Sequence, residues 1–270
     1  FVGLHYGTGD NTTLAELLQT IRPVVMTHGS LIQQAEFLEG LAMLKMRLDR
    51  YAISNGTIDD QRTALHAWRK TEDLVGVANN QFSLAFCHLW RRELDDADHN
   101  IQAAAQMATK IGHGRVQTLC ATYAAIAQRF RGDVEGVQRY AAESLSLSDR
   151  YGIHFYSGMA KANLAWVARR KGRSASAFSL AQEASAIMTV AYPFRWAALW
   201  PLLGMALDAN ELESAGEYAR QLLDPSQQRL PDDLASWLDA AQSAWQRADL
   251  DHADRCFRHI AVLATDLGYL

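Results

Sequence analysis

The feature that most constrains this chain of 270 residues is a repeat with a period of 38–40 residues. Five equivalent positions each follow a short turn that contains Gly or Asp, and each opens a segment with helical apolar periodicity. These positions are Ala97, Val137, Ala177, Ala215 and Ala253, at intervals of 40, 40, 38 and 38 residues. Repeats of this length are typical of proteins in which each unit buries its apolar face against its neighbours.

Small or apolar residues recur at fixed distances from these five positions. Twelve residues before them lie Ala85, Ala125, Ala165, Leu203 and Ala241. Four residues after them lie Ile101, Ala141, Ala181, Ala219 and Phe257. Spacings of three, four and seven residues place side chains on one face of a helix. Each unit therefore predicts a helix, a tight turn and a second helix, with small residues where the two helices meet.

The rest of the chain continues this pattern. Residues 31–51 and 59–74 predict a further helix pair, residues 12–26 predict a leading helix, and no segment shows the alternation of a strand. The sequence thus predicts about 13 helices in an all-α, right-handed α-solenoid of about six antiparallel pairs. We expect one repeat domain over residues 1–270, with a leading helix and flexible N-terminus in 1–30, regular repeats in 31–190 and Pro-interrupted repeats in 191–270. Because the first residue is Phe1, we expect a fragment of a longer chain.

Composition excludes several classes of protein. The chain is 49% hydrophobic with a net charge of −4, which is too apolar and too weakly charged for disorder and gives no general basic field for nucleic acid. Its most apolar stretch, residues 197–207, contains Pro201 and is shorter than the ~20 residues of a membrane span. Three widely spaced cysteines favour a reducing, cytoplasmic compartment over a disulfide framework.

Motifs for catalysis or metal binding are missing from the sequence. The glycines of residues 3–9 have neither the Lys of a phosphate-binding loop nor a preceding strand, so we interpret them as a flexible end. The nine histidines match no zinc spacing, and no serine lies in a nucleophile elbow. We therefore predict that the chain is not an enzyme and holds no cofactor and no metal.

At this level of detail the units resemble the tetratricopeptide repeat. That family places one small residue late in the first helix and another early in the second, as in the pairs Ala85/Ala97, Ala165/Ala177 and Ala241/Ala253. The period exceeds the usual 34 residues and the closing Pro is missing. This departure, with the stretch from Ala64 to Lys70, is similar to the longer repeats of large bacterial multidomain regulators, in which such repeats accompany a signalling ATPase and a DNA-binding or cyclase domain.

The resemblance implies an inner surface formed by the first helices of each pair. Register with the family predicts that a concave groove for a ligand or partner is lined by Asn79, Phe82, Phe86, Arg129, Trp166, Arg169 and Trp200. Aromatic rings beside Arg suit a ligand with an acidic group or an acidic amphipathic peptide. The alternative is that these rings only pack between helices, so burial of both Trp166 and Trp200 would contradict the aromatic part of the hypothesis.

Basic clusters near the ends of three first helices admit two interpretations. They are Arg91–Arg92, Arg129 with Arg131, and Arg169–Arg170–Lys171. Cations there complement the negative end of the helix dipole, which explains the clusters without a ligand. A basic ridge for an acidic partner is the other interpretation.

The sequence favours a non-catalytic module that mediates protein–protein interaction or effector sensing within a larger cytoplasmic bacterial signalling or transcriptional regulator. Its expected partners are a protein, a peptide or a small effector, and the other domains of the parent chain, with no membrane and no direct nucleic-acid binding. One alternative is a small-molecule sensor that encloses its ligand in the groove. Another is a structural or oligomerisation segment, and assembly into a homo-oligomer is left open.

Overall fold

The computed structural model describes residues 11–189 and 192–270, and every regular element in these ranges is an α-helix. The predicted flexible N-terminus and the glycines of residues 3–9 lie outside these ranges. The helices are α1 (Asn11–His28), α2 (Leu31–Leu48), α3 (Asn55–Trp68), α4 (Leu74–Trp90), α5 (Leu94–Lys110), α6 (Gly114–Arg131), α7 (Val134–Tyr151), α8 (His154–Arg170), α9 (Ser174–Ile187), α10 (Trp196–Asp208), α11 (Leu212–Leu222), α12 (Asp232–Gln246) and α13 (Leu250–Asp266).

The chain divides into two compact units, Phe1–Cys120 and Ala121–Leu270, with the boundary inside α6. In the first unit, each of α1 to α4 packs against the helix that follows it. In the second unit the same holds from α7 to α12, and α10 also contacts α8 and α13. The prediction of an all-α fold built from successive helix pairs is confirmed. The prediction of a single domain with three regions stays a prediction.

The predicted repeat register is confirmed by burial. All ten positions that define it have no solvent exposure, namely Ala85, Ala97, Ala125, Val137, Ala165, Ala177, Leu203, Ala215, Ala241 and Ala253. Small side chains there let two helix backbones approach closely, while larger side chains fill the gaps on either side. The spacing of small residues therefore fixes the contact face of each helix.

Five of the turns between helices share one backbone conformation. A residue in the left-handed region ends the first helix of a pair at Arg92, Gly132, Gly172, Asn210 and Ala248. At Gly132 the two hydrogen bonds of a Schellman turn form, from Gly132 N to Arg129 O (3.0 Å) and from Asp133 N to Gln128 O (3.0 Å). Because this conformation reverses the chain within a few residues, it makes the two helices of a pair antiparallel.

Side-chain caps start some of the second helices, as at Asp133, whose carboxylate accepts a hydrogen bond from Gly136 N at 3.0 Å. At the corresponding turn after Gly172 the capping position is Arg173, and its side chain makes no capping hydrogen bond. The helix predicted over residues 59–74 ends earlier, at Trp68. The physical reason is that the Asp73 carboxylate caps α4, accepting from Val75 N and Gly76 N at 2.9 Å, which fixes a helix start where the prediction had a helix end.

Candidate functional site

The residues predicted to line one groove fall into the two units, and each set is described within its own unit. Asn79, Phe82 and Phe86 lie on α4 in the first unit. Arg129, Trp166, Arg169 and Trp200 lie on α6, α8 and α10 in the second unit.

In the first unit, one face of α4 carries a line of side chains that we call the α4 stripe: Asn79, Ser83, Phe86 and Trp90. All four are half-buried, although the helix as a whole lies in the core. Spacings of four, three and four residues place them one above the other on the helix. The Phe86 ring lies 5.4 Å from the Trp90 ring, edge to face, and 6.1 Å from the ring of Phe82, which is 8% exposed. The α4 stripe is thus an aromatic surface that is partly open to solvent.

A carboxylate that the sequence analysis did not single out lies beside this stripe. Glu39 of α2 is half-buried, and Ser83 Oγ shares its one proton between Glu39 Oε1 at 3.3 Å and Asn79 O at 3.1 Å. No Lys, Arg or His lies within ion-pair distance of Glu39 in the part of the chain that the structure describes. Burial raises the pKa of Glu39; hydrogen bonding to Ser83 and Trp68 opposes this, and the charge of Glu36 adds to it. Glu39 lies four residues after Ala35, so helical spacing could have indicated from the sequence that Glu39 faces inward. The sequence does not indicate which residue of α4 Glu39 contacts.

In the second unit, the aromatic part of the groove prediction is wrong. Trp166 is 1% exposed and Trp200 is fully buried. Trp200 is buried because another segment of the chain, Gly268–Leu270, lies next to its ring. Trp166 is buried against Val137 and Val167, with the Arg129 guanidinium 5.7 Å from its ring centre. The Tyr269 ring lies 5.8 Å from the Trp200 ring and 5.0 Å from the Trp196 ring. The two predicted tryptophans are therefore core residues of this unit.

Arg129 is also a core residue rather than a groove residue, with no solvent exposure. Its Nε donates to Gly268 O at 3.2 Å, and its Nη2 donates to Tyr269 O. Its Nη1 donates to Ala197 O at 3.0 Å. That carbonyl lies four residues before Pro201, which has no N–H to offer it, so the guanidinium replaces a missing hydrogen bond of α10. Arg129 thus holds the segment Gly268–Leu270 against α6 and α10.

Arg169 is half-buried and forms an ion pair with Asp208. A Cβ on Gly204 would lie 2.9 Å from Arg169 Nε and 2.6 Å from Leu270 Cδ1, so Arg169 borders the same segment. Arg129, Arg169 and Trp200 are therefore brought together around Gly268–Leu270, but this segment fills the space between them. The expected preference for an acidic ligand loses its support there, because both Arg residues already have partners.

The basic clusters are likewise engaged within the fold. Arg91 pairs with Glu93 at 2.8 Å, and Lys171 pairs with Glu135 at 2.7 Å. The Arg170 guanidinium lies 5.4 Å from the centre of the Trp166 ring. These contacts favour the structural interpretation of the clusters over a basic ridge.

Among the described residues, one group of possible metal ligands is found, although these residues do not have the spacing of a zinc motif. Single ligand atoms of His88, Glu93 and Asp96 lie within 4.8 Å of one another. His88 is 4% exposed, its Nδ1 lies 2.6 Å from Glu93 Oε2, and Glu93 also pairs with Arg91. These contacts satisfy the buried imidazole without an ion, so we read the group as a hydrogen-bonded end of α4.

The three cysteines, Cys87, Cys120 and Cys256, are buried, and none of them forms a disulfide. Burial raises the pKa of the Cys87 thiol to about 12, so this group is an unreactive thiol at neutral pH. The cysteines therefore act as small apolar residues of the core.

Comparison with protein-family models and with curated proteins finds no match to this sequence. Over the residues that the structure describes, no helix combines the length and hydropathy required to cross a membrane.

Proposed function

We propose that this chain is a non-catalytic helical-repeat module, of the type found in large cytoplasmic bacterial regulators, that binds a protein segment on the α4 stripe. The observation that carries the proposal is the partial exposure of four successive positions of that stripe beside the Glu39 carboxylate. Partly exposed aromatic side chains are enriched at protein-binding surfaces because they offer a large contact area at a low cost in conformational entropy.

The negative charge of Glu39 indicates which kind of protein segment would bind to the α4 stripe. Glu39 has no cationic partner among the described residues, and its burial makes the charged form unfavourable. A Lys or Arg from a partner would stabilise that charge while its aliphatic stem packs on Phe86 and Trp90. The proposed partner is therefore an amphipathic helix with leucine-type side chains and basic residues, bound in a groove between first helices.

Fluorescence anisotropy with labelled peptides tests this function. The probes are an amphipathic helical peptide of leucine and lysine and its counterpart with glutamate in place of lysine. We expect the lysine peptide to bind the chain, and the glutamate peptide to bind at least tenfold more weakly. Phe86→Ala should weaken binding of the lysine peptide about tenfold, in the range for loss of an aromatic interface residue. The matched control, Phe178→Ala, removes a 43% exposed ring from α9 and should leave binding unchanged.

A second pair of variants separates the Glu39 contact from the general negative charge of the chain. Glu39→Gln keeps the shape and the acceptor for Ser83 but removes the charge, and should weaken binding of the lysine peptide. Glu36→Gln removes the same charge from an exposed position one turn earlier on α2. Equal effects of the two substitutions, or no binding of either peptide, would contradict the proposal and favour a structural segment. Binding of small effectors with no binding of peptides would favour the sensor alternative.

A further inference from the structure

The one Asn-Gly dipeptide of the sequence, Asn55-Gly56, lies at a helix start in the first unit. Asn55 and Gly56 are the first two residues of α3, and both are exposed. Among the asparagines that the structure describes, only Asn210 is also exposed, and the residue that follows it is Glu211. Asn55 therefore combines access to water with a following residue that has no side chain.

The backbone nitrogen of Gly56 is well placed to act as a nucleophile toward the Asn55 side chain. The first N–H groups of a helix have no acceptor within the helix, so α3 itself does not hold this N–H group. A Cβ built on Gly56 would meet only Ser54 Oγ among the described residues, at 3.8 Å, so the surrounding space is open. Helix ends also open at little cost in free energy, which lets Asn55 reach the conformation for ring closure.

A guanidinium at the end of α4 contacts the carbonyl oxygen of the Asn55 side chain. Arg91 Nη1 donates a hydrogen bond to Asn55 Oδ1. When a nucleophile attacks Cγ of Asn55, negative charge develops on Oδ1, and a fixed cationic donor at that atom stabilises the charge. Arg91 is half-buried, and its ion pair with Glu93 at 2.8 Å fixes its position independently of Asn55.

The same surroundings favour a carboxylate at position 55 over the amide. α3 has no acidic side chain in its first turn. A negative charge there interacts favourably with the positive end of the helix dipole. It would also form a charge-assisted hydrogen bond with Arg91, which is stronger than the bond that a neutral amide accepts.

We propose that Asn55 is a site of spontaneous deamidation, in which water converts its side-chain amide to a carboxylate. The Gly56 nitrogen loses its proton to a base in the solvent and attacks Cγ of Asn55, so that a C–N bond forms. The Cγ–Nδ2 bond breaks, and Nδ2 takes up a proton from water and leaves as ammonia. Water then opens the cyclic imide at either carbonyl, which gives aspartate or isoaspartate without any oxidation or reduction. This proposal does not depend on peptide binding to the α4 stripe.

The experiment is an incubation of the whole folded chain at neutral and at mildly alkaline pH, followed by ion-exchange chromatography and peptide mapping by mass spectrometry. We expect an acidic variant to accumulate with time, faster at the higher pH because more of the attacking nitrogen is deprotonated. The map should locate the change at Asn55, while the exposed Asn210 of the same sample stays an amide. Gly56→Ala should slow the conversion at least tenfold, because a Cβ hinders the closure of the ring.

A second variant separates the effect of the fold from that of the dipeptide alone. Arg91→Gln, checked for folding by its melting curve, should slow the conversion several-fold in the folded chain. It should leave the rate unchanged in guanidinium chloride, where no contact with Asn55 persists. Retention of Asn55 in the folded wild type, under conditions that convert it in guanidinium chloride, would overturn the proposal. Equal conversion of Asn210, or equal rates for the wild type and either variant in the folded state, would also overturn it.

Discussion

At the residue scale, the charged side chains that matter most are those whose charge is buried. Arg129 and Glu39 illustrate the two outcomes. Arg129 is fully buried but surrounded by carbonyl acceptors, at distances of 3.0 Å to Ala197 O and 3.2 Å to Gly268 O, so its charge contributes to the structure. The hydrogen bonding of Ser83, at 3.3 Å, and of Trp68 to Glu39 is outweighed by desolvation, so its charge costs stability. A costly charge at a partly open surface is typical of a site that serves binding rather than folding.

This difference gives a prediction about pH for Glu39. Its pKa in the folded chain is raised above the ordinary value of 4.5, so the folded state binds a proton more tightly than the unfolded state does. The stabilising effect of the carboxyl is present at low pH and is lost as the pH rises above 4.5 through the raised pKa. Glu39→Gln cannot ionise, so its free energy of unfolding should exceed that of the wild type by an amount that grows with pH over this window.

Urea unfolding at a series of pH values measures this effect. Glu36→Gln serves as the comparison, because Glu36 is a smaller cause of the same pKa shift and its removal should recover less stability. A difference between Glu39→Gln and the wild type that does not change with pH would show that Glu39 is solvated as in the unfolded chain.

At the element scale, each helix pair is defined by a small residue on each helix. Ala165 of α8 has no exposed surface and packs in a cluster with Ala181 of α9 and Leu202 of α10. Val or Leu at such a position would have to displace a neighbouring helix, because protein interiors have few voids. The repeat therefore depends on side-chain volume at a few positions more than on helix propensity.

We expect Ala165→Leu to lower the free energy of unfolding by on the order of 1–3 kcal/mol, the usual cost of overpacking a core. The control is Ala175→Leu, at an exposed position near the start of α9, where the change should stay within about 0.5 kcal/mol. Denaturant unfolding of both variants gives the comparison. An Ala165→Leu variant as stable as the control would show that α8 and α9 do not meet at Ala165.

At the scale of the whole molecule, most packing joins helices that are close in sequence, as in other repeat proteins. The segment Gly268–Leu270 departs furthest from this pattern among the described contacts of the second unit, since Arg129 and Tyr269 are 140 residues apart in sequence. Gly268 has a φ of +75°, and a Cβ there would overlap the carbonyl oxygen of Arg129. Both the backbone conformation and the close approach to α6 therefore require Gly.

Gly268→Ala should consequently destabilise helices that are remote in sequence. Gly172→Ala is its matched control, because Gly172 has a φ of +72° but open space around the position of a Cβ. We expect Gly172→Ala to cost about 1–2 kcal/mol, from the left-handed backbone alone, and Gly268→Ala to cost more.

Hydrogen exchange locates the effect. Protection should fall in α6, α8 and α10 for Gly268→Ala, and near the α8–α9 turn for Gly172→Ala. A loss confined to α12 and α13 in Gly268→Ala would contradict the docking of Gly268–Leu270 against Arg129.

The sequence by itself determined the helices, their pairing and the residues at their contacts. It could do so because the spacing of Ala85 and Ala97, and of their equivalents, is local information that each unit repeats. It also placed Asn79, Phe82 and Phe86 on α4, although it did not indicate that Glu39 would lie beside that face. Only the tertiary structure decided whether Arg129, Trp166 and Trp200 are buried or line a groove. The burial of Arg129 and Trp200 depends on a segment some 70 to 140 residues away in the chain, and that of Trp166 on Val137 and Arg129 of other helices. No periodicity within a helix encodes which other segment will fill the space next to it.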